Sequence, residues 1–309
     1  MNKSPKTARS VIAAVKEDTQ FKAVELRAHG DDVEILWVKA VPSDGCTWSD
    51  FAVECGLAQA VGTKGKPVRK DVVSVVGLDS TAVAFYRIST PAVGEEETAS
   101  IVRMQVESLL PLPPEQIEVA WRTIPSTNGK MDVTMAAARC DHLERFIDNT
   151  RDFRPQNILL SCEGMARAWQ SLFTEQERQG AVLSIGERHT QVCLVQAGRV
   201  VHAAILDVGM SDLKSTGGHT NVSGATEASE RFALDIRTIL DSFGWEVLTL
   251  WPIFVLSDGG KEIDRIVASL NAAGLLARAS LPGTQGVKAP VGFDRGDVYQ
   301  YHVPLGLAL

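Results

Sequence analysis

Residues 181–209, AVLSIGERHTQVCLVQAGRVVHAAILDVG, decide how the chain folds. VLSI is a short apolar run, GERH a turn and TQVCLVQ a second strand-length run. Ala197-Gly198 makes a tight reversal into RVVHAAIL, which closes on Asp207-Val208-Gly209. Strand-length apolar runs with glycine at each reversal spell a three-stranded β-meander, because glycine supplies the positive φ that such turns demand.

A second meander opens the chain. SVIAAV is followed by FKAVELRAHGDDVEILWVKAV, which reverses at His29-Gly30-Asp31-Asp32. A meander in each half indicates an internal duplication. Thr47 to Val61 reads as a helix with Phe51, Cys55 and Ala58 on one face, and DVVSVVG as a strand buried on both faces. Between about 78 and 140 the character changes. AVAFYRIST is a strand, Glu95-Glu96-Glu97 opens a helix with acidic residues at its positive end, and IEVAWRTI and KMDVTMAAA pair around Asn128-Gly129. That strand-helix-strand-strand group reads as an inserted α+β subdomain. Cys162 to Phe173, Glu230 to Phe243 and Lys261 to Leu270 carry apolar residues at helical spacing, and LTLWPIFVL at 248–256 is a buried strand. The Ser/Thr/Gly-rich stretch 211–229 has almost nothing to bury and is expected to be a mobile loop.

Composition narrows the function. The 309 residues are 45% hydrophobic with a net charge of −7, enough for two core-forming units at ~150 residues each. The acidic balance argues against nucleic acid as the main partner, since phosphate binding needs clustered Lys and Arg. The local basic group Lys64, Lys66, Arg69 and Lys70 reads as solvated loop charge. No apolar run approaches the ~20 residues of a membrane helix, so a direct membrane span is not expected. The start, MNKSPKTARSVIAAV, is too short in apolar residues for a signal peptide. Cys46, Cys55, Cys140, Cys162 and Cys193 are widely spaced and read as reduced thiols of a cytoplasmic protein, with no metal site.

Within the opening stretch, Ser184-Ile185-Gly186-Glu187-Arg188-His189-Thr190 resembles the phosphate-gripping turn of actin-like ATPases, where Asp-x-Gly is followed by Thr or Ser. Three further places resemble one family in order, the PilM proteins of type IV pilus assembly, with the cytoplasmic domain of GspL of type II secretion as a cousin. They are Lys22-Ala23-Val24-Glu25-Leu26, the run Tyr86-Arg87-Ile88-Ser89-Thr90-Pro91 with VESLLPLPPEQIEVAWRTI, and Leu256-Ser257-Asp258-Gly259-Gly260 with the closing Gly306-Leu307-Ala308-Leu309. The resemblance implies an α/β, two-lobed actin-like (ribonuclease H-like) fold. Its first lobe would span 1–178 with the insert, its second 179–309, and residues 297–309 would return to the first.

The family pattern also sets expectations for the site. Counting back from Lys22, the first phosphate loop's Asp falls on Val15 and its Gly on Glu17, while the second loop's Asp falls on Ser184. Gly186, Thr190, Gly209, Gly259 and Gly260 are what is left of a vestigial nucleotide pocket, so ATP is not expected as a cofactor and no catalytic residue is assigned. The implied role is a non-catalytic scaffold, cytoplasmic and peripheral to the inner membrane, that grips the cytoplasmic tail of a bitopic PilN-like membrane protein. The pilus or secretion ATPase is a further candidate partner, and a homodimer is left open. Tyr86 and Arg87 are the expected tail contacts.

Other readings of the same residues stand beside these. Gly186 and Gly198 serve equally as plain hairpin turns, and Gly259-Gly260 as a strand-to-helix turn. His202 is expected to be a satisfied, half-buried histidine. Asp207 and Asp258 would form an acid/base pair only if the fold joined them. The alternative function is a nucleotide-binding actin-like ATPase or kinase-related enzyme, which would need the acidic residues that Val15 and Ser184 replace. A filament-forming actin-like protein is a third class.

Overall fold

The computed structural model describes residues 10–17, 19–29, 32–59, 69, 72–125, 130–173, 177–214, 222–243, 251–257, 261–283 and 287–309. In chain order the first half holds β1 (Ser10–Glu17), β2 (Gln20–His29), β3 (Asp32–Pro42), α1 (Trp48–Glu54), β4 (Val72–Leu78), β5 (Val83–Pro91), α2 (Glu95–Leu109), β6 (Ile117–Pro125), β7 (Lys130–Arg139), α3 (Cys140–Thr150), β8 (Asn157–Leu160) and α4 (Ser161–Leu172). The second half adds β9 (Gly180–Ile185), β10 (Thr190–Gln196), β11 (Arg199–Leu206), α5 (Met210–Leu213), α6 (Val222–Ser242), β12 (Ile253–Leu256), α7 (Lys261–Ala272), β13 (Ala277–Ser280), β14 (Val287–Lys288), α8 (Arg295–Gln300) and α9 (His302–Ala308).

The two meanders found in the sequence head two separate sheets of matching topology. One runs β14-β3-β2-β1-β4-β8, the other β11-β10-β9-β12-β13. In each, a meander is antiparallel within itself, and its first strand is extended by two parallel strands. Parallel strands are buried on both faces, and β4 and β12 accordingly read VVSVVGL and IFVL. The period-2 rule splits β1 cleanly. Ile12 and Ala14 enter a core with Phe21, Trp48, Phe51 and Phe153, while Ala13 and Val15 enter a second core with Val24, Met165 and Leu307. At the β10–β11 reversal, Ala197 and Gly198 have φ of 51° and 79°, the left-handed pair that a two-residue hairpin turn requires.

The inserted segment forms its own three-stranded sheet, β5-β7-β6, with α2 against one face through Val102 and Val106. At the other end of the chain, β14 joins the first sheet beside β3. Helix α9 lies across α4 and the α4-side face of β1, so closely that the two helices meet backbone to backbone. A Cβ on Gly306 would stand 1.8 Å from the Gly164 carbonyl oxygen, and one on Gly164 would stand 2.6 Å from the Val303 oxygen.

Two local expectations are corrected. The stretch 211–229 is not one loop: Met210–Leu213 is a helical turn, and α6 starts at Val222, eight residues ahead of Glu230. The early turns lack apolar spacing, so periodicity is silent there. Extending a helix already docked through Ser229, Phe232, Ala233 and Ile236 costs little, because nucleation rather than propagation is the expensive step. Arg69 is not a solvated charge. Its guanidinium grips the buried Glu25 carboxylate at 2.6 and 2.8 Å; Lys64, Lys66 and Lys70 lie outside the described residues.

Candidate functional site

The lobes face each other across a cleft of about 790 Å³, walled by the β1–β2 turn, the β9–β10 turn and α8. The hairpin pairs Glu17 with Gln20 and Val15 with Lys22, and the Glu17 carboxylate meets Lys22 Nζ at 3.0 Å. Val15 is 1% exposed, and its side chain fills the space above Gly77, where an added Cβ would come within 2.5 Å of Val15 Cγ1 and 2.7 Å of Leu307 Cδ1. Helix α9 therefore covers the position where the family pattern would put an aspartate.

The second wall is tied just as tightly. Ser184 Oγ is 3.0 Å from His302 Nε2, and His302 Nδ1 is 2.6 Å from the Tyr299 carbonyl oxygen. A carbonyl oxygen can only accept, so Nδ1 carries the proton and donates it, and Nε2 accepts from the Ser184 hydroxyl. Burial of the ring lowers the His302 pKa and holds it in this neutral form. The Tyr299 hydroxyl donates to the Ile185 carbonyl at 3.1 Å. Gly186, Thr190 and Gly209 come together here. Gly186 N–H donates to His189 O, Thr190 Oγ1 donates to Val208 O at 2.7 Å, and Met210 N–H returns to Gly186 O. Gly209 is packed so close that a Cβ would lie 2.3 Å from Glu187 O. Asp207 pairs with His189 at 3.3 Å; Asp258, Gly259 and Gly260 lie outside the described residues. Among the described residues no three His, Cys, Asp or Glu side chains are placed to hold a metal ion.

A second concavity, about 470 Å³, lies where the three-stranded sheet meets the first lobe. Phe85, Ala120, Arg122, Thr134 and Ala136 line it from the sheet, β8 and α4 form its floor, and the β10–β11 turn closes one end. Arg122 and Glu163 bridge it at 2.5 Å. Among the described residues β8 is the last strand of its sheet, paired with β4 alone, and its Ile158 is 38% exposed. Tyr86 and Arg87 do not act together. Adjacent residues of a strand point to opposite faces, and Tyr86 packs into the α2 cluster while Arg87 binds Asp132 at 2.6 Å on the face that carries Phe85. Arg122, Thr134 and Glu163 escaped sequence reasoning because the sheet and α4 bring them together only once the subdomain docks. Alternation along AVAFYRIST was the one signal able to separate Phe85 from Tyr86.

The architecture is that of the actin-like ATPases: two lobes of matching α/β topology around a cleft, with a small inserted subdomain. Among solved structures the chain is similar to the PilM–PilN type IV pilus biogenesis complex, with a TM-score of 0.69 at 17% identity over 96% of this chain and 97% of that one. It is also similar to the cytoplasmic domain of EpsL, an inner-membrane component of the type II secretion system of Vibrio cholerae. There the TM-score is 0.50 at 9% identity over 85% and 95% of the two chains. No protein-family model and no curated protein matches the sequence. No described helix is long and apolar enough to cross a membrane.

Proposed function

We propose that the protein is a non-catalytic scaffold of a type IV pilus or type II secretion platform, holding the cytoplasmic tail of a bitopic, PilN-like membrane protein at the inner face of the inner membrane. The observation that carries this is the groove between the three-stranded sheet and the open edge of β8. A short tail gains most by lying extended, with main-chain hydrogen bonds to a free strand edge and one or two apolar side chains in pockets. β8 offers the edge, and Phe85 and Ile158 the apolar walls. The likeness to a PilM–PilN complex supports the same site class.

The cleft supports a role without ATP turnover. Metal–nucleotide binding rests on carboxylates at the two phosphate turns and on free backbone N–H groups. Here Val15 is sealed under α9, Ser184 is engaged by His302, Glu17 is tied to Lys22, and the Gly186 N–H is used inside its own turn.

The groove is tested by placing a photo-crosslinking amino acid at exposed Ala120, which lines it, and irradiating cells that express the full chain. The expected adduct is the amino-terminal tail of a bitopic inner-membrane protein, and Phe85→Asp should abolish it. Adducts to soluble proteins alone would overturn the assignment.

A further inference from the structure

Resting on the scaffold function proposed above, we infer that the groove selects an acidic tail: an extended segment in which Asp or Glu alternates with branched apolar residues. The chain as a whole carries a net charge of −7, yet three guanidiniums, Arg122, Arg167 and Arg199, line this groove against the single carboxylate of Glu163. Arg122 is held by Glu163. Arg167 on α4 and Arg199 at the start of β11 are exposed and have no carboxylate partner among the described residues. The local charge excess therefore runs against the charge of the molecule, and it sits beside a strand edge. Arginine forks accept carboxylates with two parallel N–H···O bonds, which fixes position as well as sign.

The rest of the lining matches such a segment. Phe85, Ile158 and Val200 supply apolar contact, and the small side chains Ala120 and Ala136 leave room for a backbone. Thr134, 5% exposed, adds a buried hydroxyl with no hydrogen-bond partner among the described residues at the groove wall. An extended segment sends successive side chains to opposite sides, so acidic residues facing the arginines would alternate with apolar ones facing Phe85 and Ile158.

The test is selection of the full-length protein against a display library of octapeptides with free amino termini, scored for enrichment that Ala120→Trp, which plugs the groove, removes. Enriched sequences should carry Asp or Glu at alternate positions. Changing those residues to Asn in a synthetic peptide should weaken binding by at least about tenfold, since charge-assisted bonds are about twice as strong as neutral ones. An Arg167→Glu/Arg199→Glu variant should then prefer Lys-containing peptides, a swap that an unfolded variant could not show. Groove-dependent peptides that are neutral or basic would overturn the acidic preference and leave the tail-binding function standing. No groove-dependent enrichment at all would overturn both. Binding of the wild type to phosphatidylglycerol vesicles, lost in the double variant and without an acidic peptide preference, would assign the arginines to lipid and overturn the inference.

Discussion

His202 sits on β11 where the inserted sheet meets the second lobe, between Phe85 at 6.1 Å and Phe243 at 3.6 Å between ring centroids. Burial pushes its pKa down to about 4, and the Arg87 charge adds to the effect against an opposing hydrogen bond to the Ala203 carbonyl. The unfolded chain binds a proton near the ordinary value of ~6.5 while the folded chain does not. Between those values the unfolded state thus holds more protons, and stability falls as pH drops. The expected loss from pH 7 to pH 4 is about 2 kcal/mol from this residue, discounted for partial exposure of the ring. His202→Gln should flatten that slope in urea titrations at both pH values; an unchanged slope would assign it elsewhere. At this scale the sequence was half legible. Alternation on β11 marked His202 as half-buried, but the Ser184–His302 bond joins residues 118 apart, with no local trace of the partner.

The α4–α9 crossing is the element that most constrains substitution. Gly164 and Gly306 face each other with no room for a methyl group, and the nearest atoms a Cβ on Gly306 would meet are all backbone, which cannot rotate away. Gly306→Ala should destabilise the fold by about 3 kcal/mol, at the upper end of overpacking costs. Gly94→Ala, which meets nothing within 4 Å, should cost under about 1 kcal/mol as a helix N-cap change. Equal denaturation midpoints would show that the crossing relaxes. Elements with strong periodicity were readable in advance: the meanders, α2, α4, α7 and the inserted sheet. The early turns of α6 were not, because their register is imposed by the docked half of the helix. The two-residue β14 has no pattern of its own and exists only because β3 offers an edge.

At the scale of the molecule, two sheets of the same topology enclose a cleft of nucleotide size whose turns are tied to themselves and to the carboxyl-terminal helices. Calorimetry with ATP and Mg²⁺ should show no saturable heat into the millimolar range, since the charge-assisted contacts such binding rests on are absent at Val15 and Ser184. A micromolar dissociation constant would restore the ATPase reading. The duplication was legible from the paired meanders. The sealing of Val15 by Leu307 was not, because it depends on a helix almost three hundred residues away.

That last contact has a consequence for synthesis. A ribosome delivers the first lobe early, and domains generally fold in the order they emerge. Yet Val15, Val24 and Met165 share their core with Val303, Leu305 and Leu307. The first lobe thus waits with one apolar face bare until position 307 has been translated. During that interval the nascent chain exposes apolar surface, and a message truncated before α9 should yield a sticky, unfinished lobe rather than a smaller working one.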